Sequence, residues 1–137
     1  MNSIENTLLS KNILVTGGCG FIGSEVTKQL SEHGANITVI DNLSSGKEEY
    51  IQKIPRVELI KSDLSQISSF KSVLEGMDYV IHLAALPFIP ASYYIPMKFF
   101  ESNVNSTIVL ALEVVKQKNI KKTLNQNFSI ILRILQV

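Results

Sequence analysis

The 137-residue sequence contains a single cysteine, Cys19, and no tryptophan. One cysteine excludes an internal disulfide framework and a cysteine-rich metal site. The formal net charge of +1 provides no overall field that would favour nucleic acid or an anionic membrane as a partner. No apolar run approaches the roughly 20 residues that a membrane-spanning helix requires, and residues 1–10 do not resemble a signal peptide. We therefore expect a cytoplasmic domain that binds neither nucleic acid nor membrane.

Short apolar stretches alternate with segments of helical periodicity. The stretches are predicted as strands at residues 12–16, 36–40, 57–60 and 79–83. A first helix is expected to end at Gly34, and a short second helix carries Ile67, Phe70 and Leu74. A longer helix has an apolar face made of Phe100, Val104, Ile108, Ala111, Leu112 and Val115. This alternation predicts an α/β fold, a Rossmann-like, doubly wound parallel sheet with strand order 3-2-1-4.

Three spaced glycines, Gly17, Gly20 and Gly23, follow the first predicted strand. The backbone at Gly17 and Gly20 can turn tightly and approach a pyrophosphate, and Gly23 lets the following helix pack closely on the sheet. The helix N-terminus adds free N–H groups and the positive end of its dipole. A glycine-rich loop alone is also compatible with a simple tight turn, but its position between a strand and a helix favours dinucleotide binding.

Asp41 closes the second predicted strand, 18 positions after Gly23. A carboxylate at this point can accept hydrogen bonds from both ribose hydroxyls of an adenosine, and it would repel a 2′-phosphate. No arginine lies nearby in the sequence, the nearest cation being Lys47. The pattern therefore favours NAD over NADP, with a plain turn or cap residue as the alternative interpretation of Asp41.

Three blocks, Thr16–Gly23, Asp41–Gly46 and His82–Ala85, resemble the extended short-chain dehydrogenase/reductase family. Within that family they are similar to the NAD-dependent epimerases and dehydratases that act on sugar nucleotides, of the UDP-glucose 4-epimerase-like type. The resemblance covers residues 11–122, the N-terminal part of the family. It implies NAD as the cofactor, a nucleotide sugar as the substrate of the full-length protein, and a homodimer formed through helices.

The resemblance also implies a role for individual residues in an NAD site. The pyrophosphate would be held by Gly17, Gly20, Phe21, Ile22 and Gly23. The adenosine ribose would be bound by Asp41 and Asn42, with Ser44 and Ser45 in the adjoining loop. The adenine would lie beside Asp63 and Leu64, although Asp63 can equally cap the helix that follows it. The wall behind the nicotinamide ribose would be formed by Leu83, Ala84 and Ala85. Asn103 matches a family asparagine on the helix below the cofactor, and Ser106 replaces the usual glycine.

The catalytic elements of the family do not occur in this sequence. The resemblance implies a Ser or Thr after the fifth strand and a Tyr-x-x-x-Lys pair on a later helix, but residues 123–137 resemble no part of the family. We therefore predict an NAD(P)-binding half-domain at residues 1–122 and an atypical tail at 123–137, produced by a frameshift or a truncation. The apolar stretch Phe128–Leu135 could add a makeshift fifth strand or a helix.

Four other residues could carry chemistry but are not given catalytic roles. Tyr94 and Lys98 have Tyr-x-x-x-Lys spacing, yet Pro96 between them disfavours the helix that would bring them together. His82 is interpreted as a packed strand-end histidine rather than a catalytic base, and Cys19 as a small filler rather than a reactive thiol. Two functions stay open, the NAD-binding part of a nucleotide-sugar epimerase or dehydratase and a non-catalytic dinucleotide-binding fragment.

Overall fold

Five parallel strands form one sheet in the order β3-β2-β1-β4-β5. The computed structural model describes residues 8–66, 71–120 and 122–125. The strands are β1 (Asn12–Thr16), β2 (Asn36–Asp41), β3 (Val57–Lys61), β4 (Tyr79–His82) and β5 (Lys122–Asn125). The predicted order 3-2-1-4 is confirmed, and β5 extends the sheet beside β4.

The central strand β1 pairs with β2 on one side and with β4 on the other. At its carboxyl end Thr16 lies opposite Ile40 in β2 and His82 in β4. The chain turns away in opposite directions after β1 and β4, so that a crevice opens between them at this edge. In open parallel sheets, this switch point is where ligands bind.

Four α-helices are described, namely α1 (Phe21–Glu32), α2 (Lys71–Leu74), α3 (Pro96–Phe99) and α4 (Ser106–Val114). A π-helical segment, Phe100–Asn105, joins α3 to α4, and 3-10 turns occur at Glu48–Tyr50 and Ile89–Tyr93. The chain leaves α1 at Gly34, whose φ of +86° favours glycine, as expected for a helix stop. Of the predicted second helix, residues 67–70 lie outside the described residues.

The sheet separates two hydrophobic cores. On one side Ile13, Val15 and Val39 pack beneath α1, and on the other Leu14 and Val80 pack against α2 and α4. Alternate residues of β1 therefore point to opposite faces, as they must in a strand covered on both sides. This arrangement confirms a doubly wound architecture.

Four of the six apolar residues predicted to share one face of the last helix are exposed. Phe100, Ile108, Leu112 and Val115 are 40% to 51% exposed, and the buried apolar residues of α4 include Leu110. The segment Ser106–Val114 is apolar nearly all round, so hydrophobic periodicity cannot identify the side that faces the sheet. The wide π-helical turns before Ser106 also shift the phase of the helix relative to the 3.6-residue repeat assumed from sequence.

Strand β5 crosses the boundary predicted after residue 122, because it runs from Lys122 to Asn125. The segment 128–135, predicted as a makeshift strand or helix, lies outside the described residues. The assignment of 123–137 as a separate tail stays a prediction. Among the described helices, none combines the length and apolar character needed to cross a bilayer.

Candidate functional site

A cleft of about 520 Å³ opens at the carboxyl ends of β1, β2 and β4. It brings together every residue that the sequence assigned to an NAD site, namely Gly17, Gly20, Phe21, Ile22, Gly23, Asp41, Asn42, Ser44, Ser45, Asp63, Leu64, Leu83, Ala84, Ala85 and Asn103. The lining is completed by Ile40, Ser62, Leu86, Pro87, Ser102 and Ser106. The volume falls in the range of small-molecule and cofactor sites.

The glycine loop forms the floor of the cleft between β1 and α1. Gly17 has a φ of +70°, and a Cβ placed on it would lie 2.7 Å from the backbone N of Ala84. A Cβ on Gly23 would lie 2.0 Å from the carbonyl oxygen of Gly17. Both positions therefore require glycine, one for close contact with the cleft wall and the other for close packing of α1 on the loop.

Helix α1 begins without a capping side chain. Gly20 is its N-cap residue, no side chain caps it, and its first turn contains no acidic residue. The first amides of an α-helix have no partner within the helix, and the dipole makes this end positive. Because the cleft is lined by Gly20, Phe21, Ile22 and Gly23, an anionic group bound there would meet these amides.

The Asp41 carboxylate lies at the carboxyl end of β2 and is 8% exposed. Its Oδ2 accepts a hydrogen bond from the backbone N of Cys19 (3.0 Å), and its Oδ1 accepts one from the backbone N of Leu43 (2.8 Å). Asp41 therefore has the turn role that was the alternative interpretation, and it also lines the cleft. Each carboxylate oxygen can accept more than one hydrogen bond, so these contacts leave room for a ligand hydroxyl.

The described cleft lining carries negatively charged side chains and no positively charged one. Asp41 and Asp63 are its acidic members, and no lysine or arginine is among these residues. The Asp63 Oδ1 accepts a hydrogen bond from the backbone N of Ser65 (2.8 Å). This bond lowers the pKa of Asp63, against an opposing effect of burial and with smaller contributions from the side chains of Ser65 and Asn42. The contact is a local turn, and residues 67–70 of the helix that Asp63 was expected to cap lie outside the described residues.

Asn103 braces the loop that follows β4. Its side-chain Oδ1 accepts from the backbone N of Leu86 (2.7 Å), and its Nδ2 donates to the carbonyl oxygen of Leu86 (3.1 Å). The amide thus satisfies both backbone groups of one residue in the cleft wall. Ser106, one turn further on, lines the cleft at the position where the family resemblance implied glycine.

His82 is a buried structural residue, as predicted. It is 2% exposed, and its Nδ1 and Nε2 lie 2.5 Å and 2.9 Å from the hydroxyl oxygens of Thr16 and Thr107. Burial lowers the pKa of the imidazole to about 4, so the ring is neutral near pH 7. It does not line the cleft, where a proton acceptor for a substrate would have to lie.

Cys19 and Tyr94 are also placed as predicted, away from any catalytic role. The Cys19 thiol is fully buried, and burial, followed by the charges of Asp41 and Glu48, raises its pKa to about 12. Such a thiol is an inert filler. Tyr94 is 86% exposed, precedes the helix that begins at Pro96, and lies outside the cleft lining.

Five lining residues were missed from the sequence, and Ser106 was noted there only as a replacement for the family glycine. Ile40 and Ser62 lie at the ends of β2 and β3, and Leu86 and Pro87 follow the wall predicted after β4. The rule that ligands bind beyond the carboxyl ends of parallel strands could have identified these four. Ser102 lies in the π-helical segment, and no local signal in the sequence marks it.

Comparison with known proteins places the chain in one family. Residues 13–127 match the family model described as "NAD dependent epimerase/dehydratase family". The chain is 36% identical to the UDP-glucose 4-epimerase of Lacticaseibacillus casei over 112 residues, covering 80% of this chain and 33% of that protein. It is 34% identical over 116 residues to the bifunctional protein GAL10 of Candida maltosa, covering 79% of this chain and 75% of that sequence.

Solved structures show the same relationship. The Bordetella bronchiseptica enzyme WbmF in complex with NAD+ superimposes with a TM-score of 0.82 at 31% identity, over 87% of this chain and 36% of that chain. A UDP-N-acetylglucosamine 4-epimerase from Methanobrevibacter ruminantium M1 gives a TM-score of 0.77 at 38% identity, over 84% and 37% of the two chains. The chain spans about a third of the length of most of these relatives. Its fold, its cleft and its family match together establish that it belongs to the NAD-dependent epimerase/dehydratase family.

Proposed function

We propose that the cleft binds NAD, with the pyrophosphate on the glycine loop and the adenosine ribose at Asp41. The observation that carries this proposal is the convergence of fifteen residues, predicted from five separate segments of the sequence, around one cleft. The uncapped N-terminus of α1 suits a pyrophosphate, and Asp41 suits ribose hydroxyls. NAD bound in this cleft would accept and return a hydride, which is the chemistry that the cofactor supplies.

The absence of a cation from the described lining supports NAD over NADP. A 2′-phosphate at the ribose end would lie beside Asp41, and no described lining residue is a lysine or arginine that could neutralise it. Lys61, which is paired in register with Asp41, forms a 2.6 Å ion pair with Glu48 instead. The proposal therefore includes discrimination against the 2′-phosphate by charge repulsion.

NADH binding, measured by the fluorescence of the dinucleotide, tests the ribose assignment. Asp41→Asn keeps the size of the side chain but removes its charge, and Asp41→Ala removes both. Loss of a charge-assisted hydrogen bond should weaken NADH binding by about tenfold to a hundredfold. Asp41→Asn should also reduce the preference for NADH over NADPH, an effect that distortion of the loop alone would not produce.

Glu58→Gln provides the matched control, because Glu58 is an exposed carboxylate on β3 that does not line the cleft. It should bind both dinucleotides like the wild type. Equal NADH affinity and equal discrimination in Asp41→Asn and wild type would refute the ribose assignment. Lack of NADH binding by the wild-type chain would refute the proposal as a whole.

We also propose that the chain is the NAD-binding part of a nucleotide-sugar epimerase or dehydratase. The family match and the relatives named as UDP-glucose 4-epimerases support this function. In this proposal residues 1–122 form the NAD(P)-binding half-domain and 123–137 an atypical tail. The Tyr-x-x-x-Lys string of this sequence, Tyr94 to Lys98, lies outside the cleft lining, so the 137-residue chain should bind NADH without converting UDP-galactose to UDP-glucose.

The competing function is a non-catalytic dinucleotide-binding fragment. The position of Tyr94 and Lys98 outside the described cleft lining favours it. Reading the coding DNA downstream of the Lys122 codon in all three frames separates the two. A frame that encodes a Tyr-x-x-x-Lys segment, and a longer chain from it that interconverts the two UDP-sugars, would support the enzyme. A longer chain without turnover would support the fragment.

We propose a homodimer formed through the outer face of α4. Ile108, Leu112 and Val115 lie on one side of this helix at positions i, i+4 and i+7, and they are exposed. Exposed apolar stripes of this kind mark association surfaces. In sedimentation velocity the wild type should be a dimer and Leu112→Glu a monomer, with Tyr93→Glu, on another exposed segment, as the control. A monomeric wild type would refute this proposal.

We propose that the protein functions in the cytoplasm. Its single cysteine is a buried free thiol, which is the state expected in a reducing compartment. Fractionation of cells that express a tagged chain tests this location, and recovery in a secreted or membrane fraction would contradict it.

A further inference from the structure

A continuous series of hydrogen bonds runs through the interior beneath the cleft. It begins at the backbone N of Ala84, passes through the hydroxyl of Thr16 and the ring of His82, and ends through the hydroxyl of Thr107 at the carbonyl oxygen of Asn103. It joins β1, β4 and α4, and its two ends are residues of the cleft lining.

The direction of the bonds at Thr107 determines the tautomer of the histidine. The Thr107 hydroxyl donates its single proton to the carbonyl oxygen of Asn103, at 2.8 Å. Its oxygen can then only accept from the Nε2 of His82, which lies 2.9 Å away. The proton of the neutral ring must therefore be on Nε2.

The tautomer also determines the direction of the hydrogen bond on the other side of the ring. With the proton on Nε2, the Nδ1 of His82 is an acceptor, so the Thr16 hydroxyl donates to it across 2.5 Å. The Thr16 oxygen in turn accepts from the backbone N of Ala84 at 3.3 Å. All four bonds thus run in one direction, from the Ala84 N–H to the Asn103 carbonyl oxygen, and each group between these ends serves once as donor and once as acceptor.

Both ends of this series of hydrogen bonds lie next to residues that form the walls of the cleft. At one end the backbone of Ala84 faces Gly17 so closely that a Cβ on Gly17 would lie 2.7 Å from the Ala84 N. At the other end the side chain of Asn103 holds both backbone groups of Leu86. One end of the series thus contacts the glycine loop, and the other end is a residue that holds the loop after β4.

We propose that His82, in its Nε2–H tautomer, is a positioning residue that holds the wall of the cleft at the distance a dinucleotide requires. It acts through Thr16 on Ala84 and through Thr107 on the helix that carries Asn103, and it does not touch the ligand. The inference rests on the proposed binding of NAD in this cleft, but the tautomer itself does not.

The tautomer is measured on the protein without dinucleotide. Proton–nitrogen correlation spectra of the imidazole distinguish a protonated from an unprotonated ring nitrogen, and for His82 they should show the proton on Nε2. In Thr107→Val the Nε2–H loses its acceptor, so the proton should move to Nδ1, where the Thr16 oxygen can accept it. Thr16→Val should leave the proton on Nε2. A proton on Nδ1 in the wild type would overturn the inference.

The positioning role is measured by NADH binding in the same variants. Loss of a buried hydroxyl that makes two hydrogen bonds, in Thr16→Val or Thr107→Val, should weaken NADH binding by about five- to tenfold. Thr16→Ser and Thr107→Ser, which keep the hydroxyl, should restore most of it. Thr27→Val is the matched control, because Thr27 is equally buried and its hydroxyl has no partner among the described residues. Equal affinity in all three valine variants would overturn the role.

NADH binding and the imidazole spectra can refute different parts of the inference. If the wild-type chain does not bind NADH, the proposed function is refuted, and the positioning role with it, whereas the tautomer is still decided by the spectra. If NADH binds and the serine variants bind no better than the valine variants, the proposed function stands and the role of His82 is refuted. Thermal unfolding of each variant establishes that the affinities compare folded proteins.

Discussion

Acidification should destabilise this fold through protonation of His82. The ring is 2% exposed, and burial lowers its pKa from 6.5 to about 4. The unfolded chain therefore binds a proton on this residue between about pH 6.5 and pH 4, and the folded chain does not. The contribution of the neutral ring to the free energy of unfolding is therefore fully present above pH 6.5 and is lost as the pH falls towards 4.

The size of the effect follows from the two pKa values. A difference of about 2.5 pKa units corresponds to about 3 kcal/mol at its limit. About 2 kcal/mol of the free energy of unfolding should be lost by pH 5, and about 3 kcal/mol by pH 4. The pKa of Asp63 is already below 3.8 in the folded chain, so stability that depends on this carboxylate is lost only at still lower pH.

Urea unfolding followed by circular dichroism at pH 7, 6, 5 and 4.5 measures this loss directly. The slope of the unfolding free energy against pH should approach one proton per molecule near pH 5. An NMR titration of the ring in the folded protein provides the control, since its signals should not move above pH 5. Constant stability from pH 7 to pH 5, or a ring that titrates near pH 6.5, would refute the reasoning.

Two further predictions concern the glycine loop and the cysteine beside it. Gly23→Ala should cost about 1–3 kcal/mol of stability and abolish NADH binding, because its Cβ would lie 2.0 Å from the carbonyl oxygen of Gly17. Gly76→Ala is the control, since nothing lies within 4 Å of a Cβ there; equal stability of the two variants in urea would contradict the packing argument. The Cys19 thiol, with its pKa raised to about 12, should react with iodoacetamide at pH 8 at least about a hundredfold more slowly in the folded than in the urea-unfolded chain. Similar rates in both states would show that the thiol is accessible.

The features that could be predicted from sequence are local ones. The glycine spacing, Asp41 at a strand end and the small residues Ala84 and Ala85 each serve a backbone geometry set by their immediate neighbours. The strand order 3-2-1-4 was predictable for a similar reason, because alternation of strands and helices with right-handed crossovers leaves few topologies. Because the strand order places the ends of β1, β2 and β4 side by side, the glycines, Asp41, Ala84 and Ala85 all line one cleft.

The features that could not be predicted depend on partners remote in the sequence. His82 and Thr16 are 66 positions apart, and only the pairing of β4 with β1 brings them within 2.5 Å. The buried side of α4 could not be identified because Ser106–Val114 is apolar nearly all round, and contact with the sheet chooses the face. Local chemistry thus determined what kind of ligand the cleft suits, whereas tertiary packing decided which groups hold its walls, since a hydrogen bond between distant residues exists only once the strands are paired.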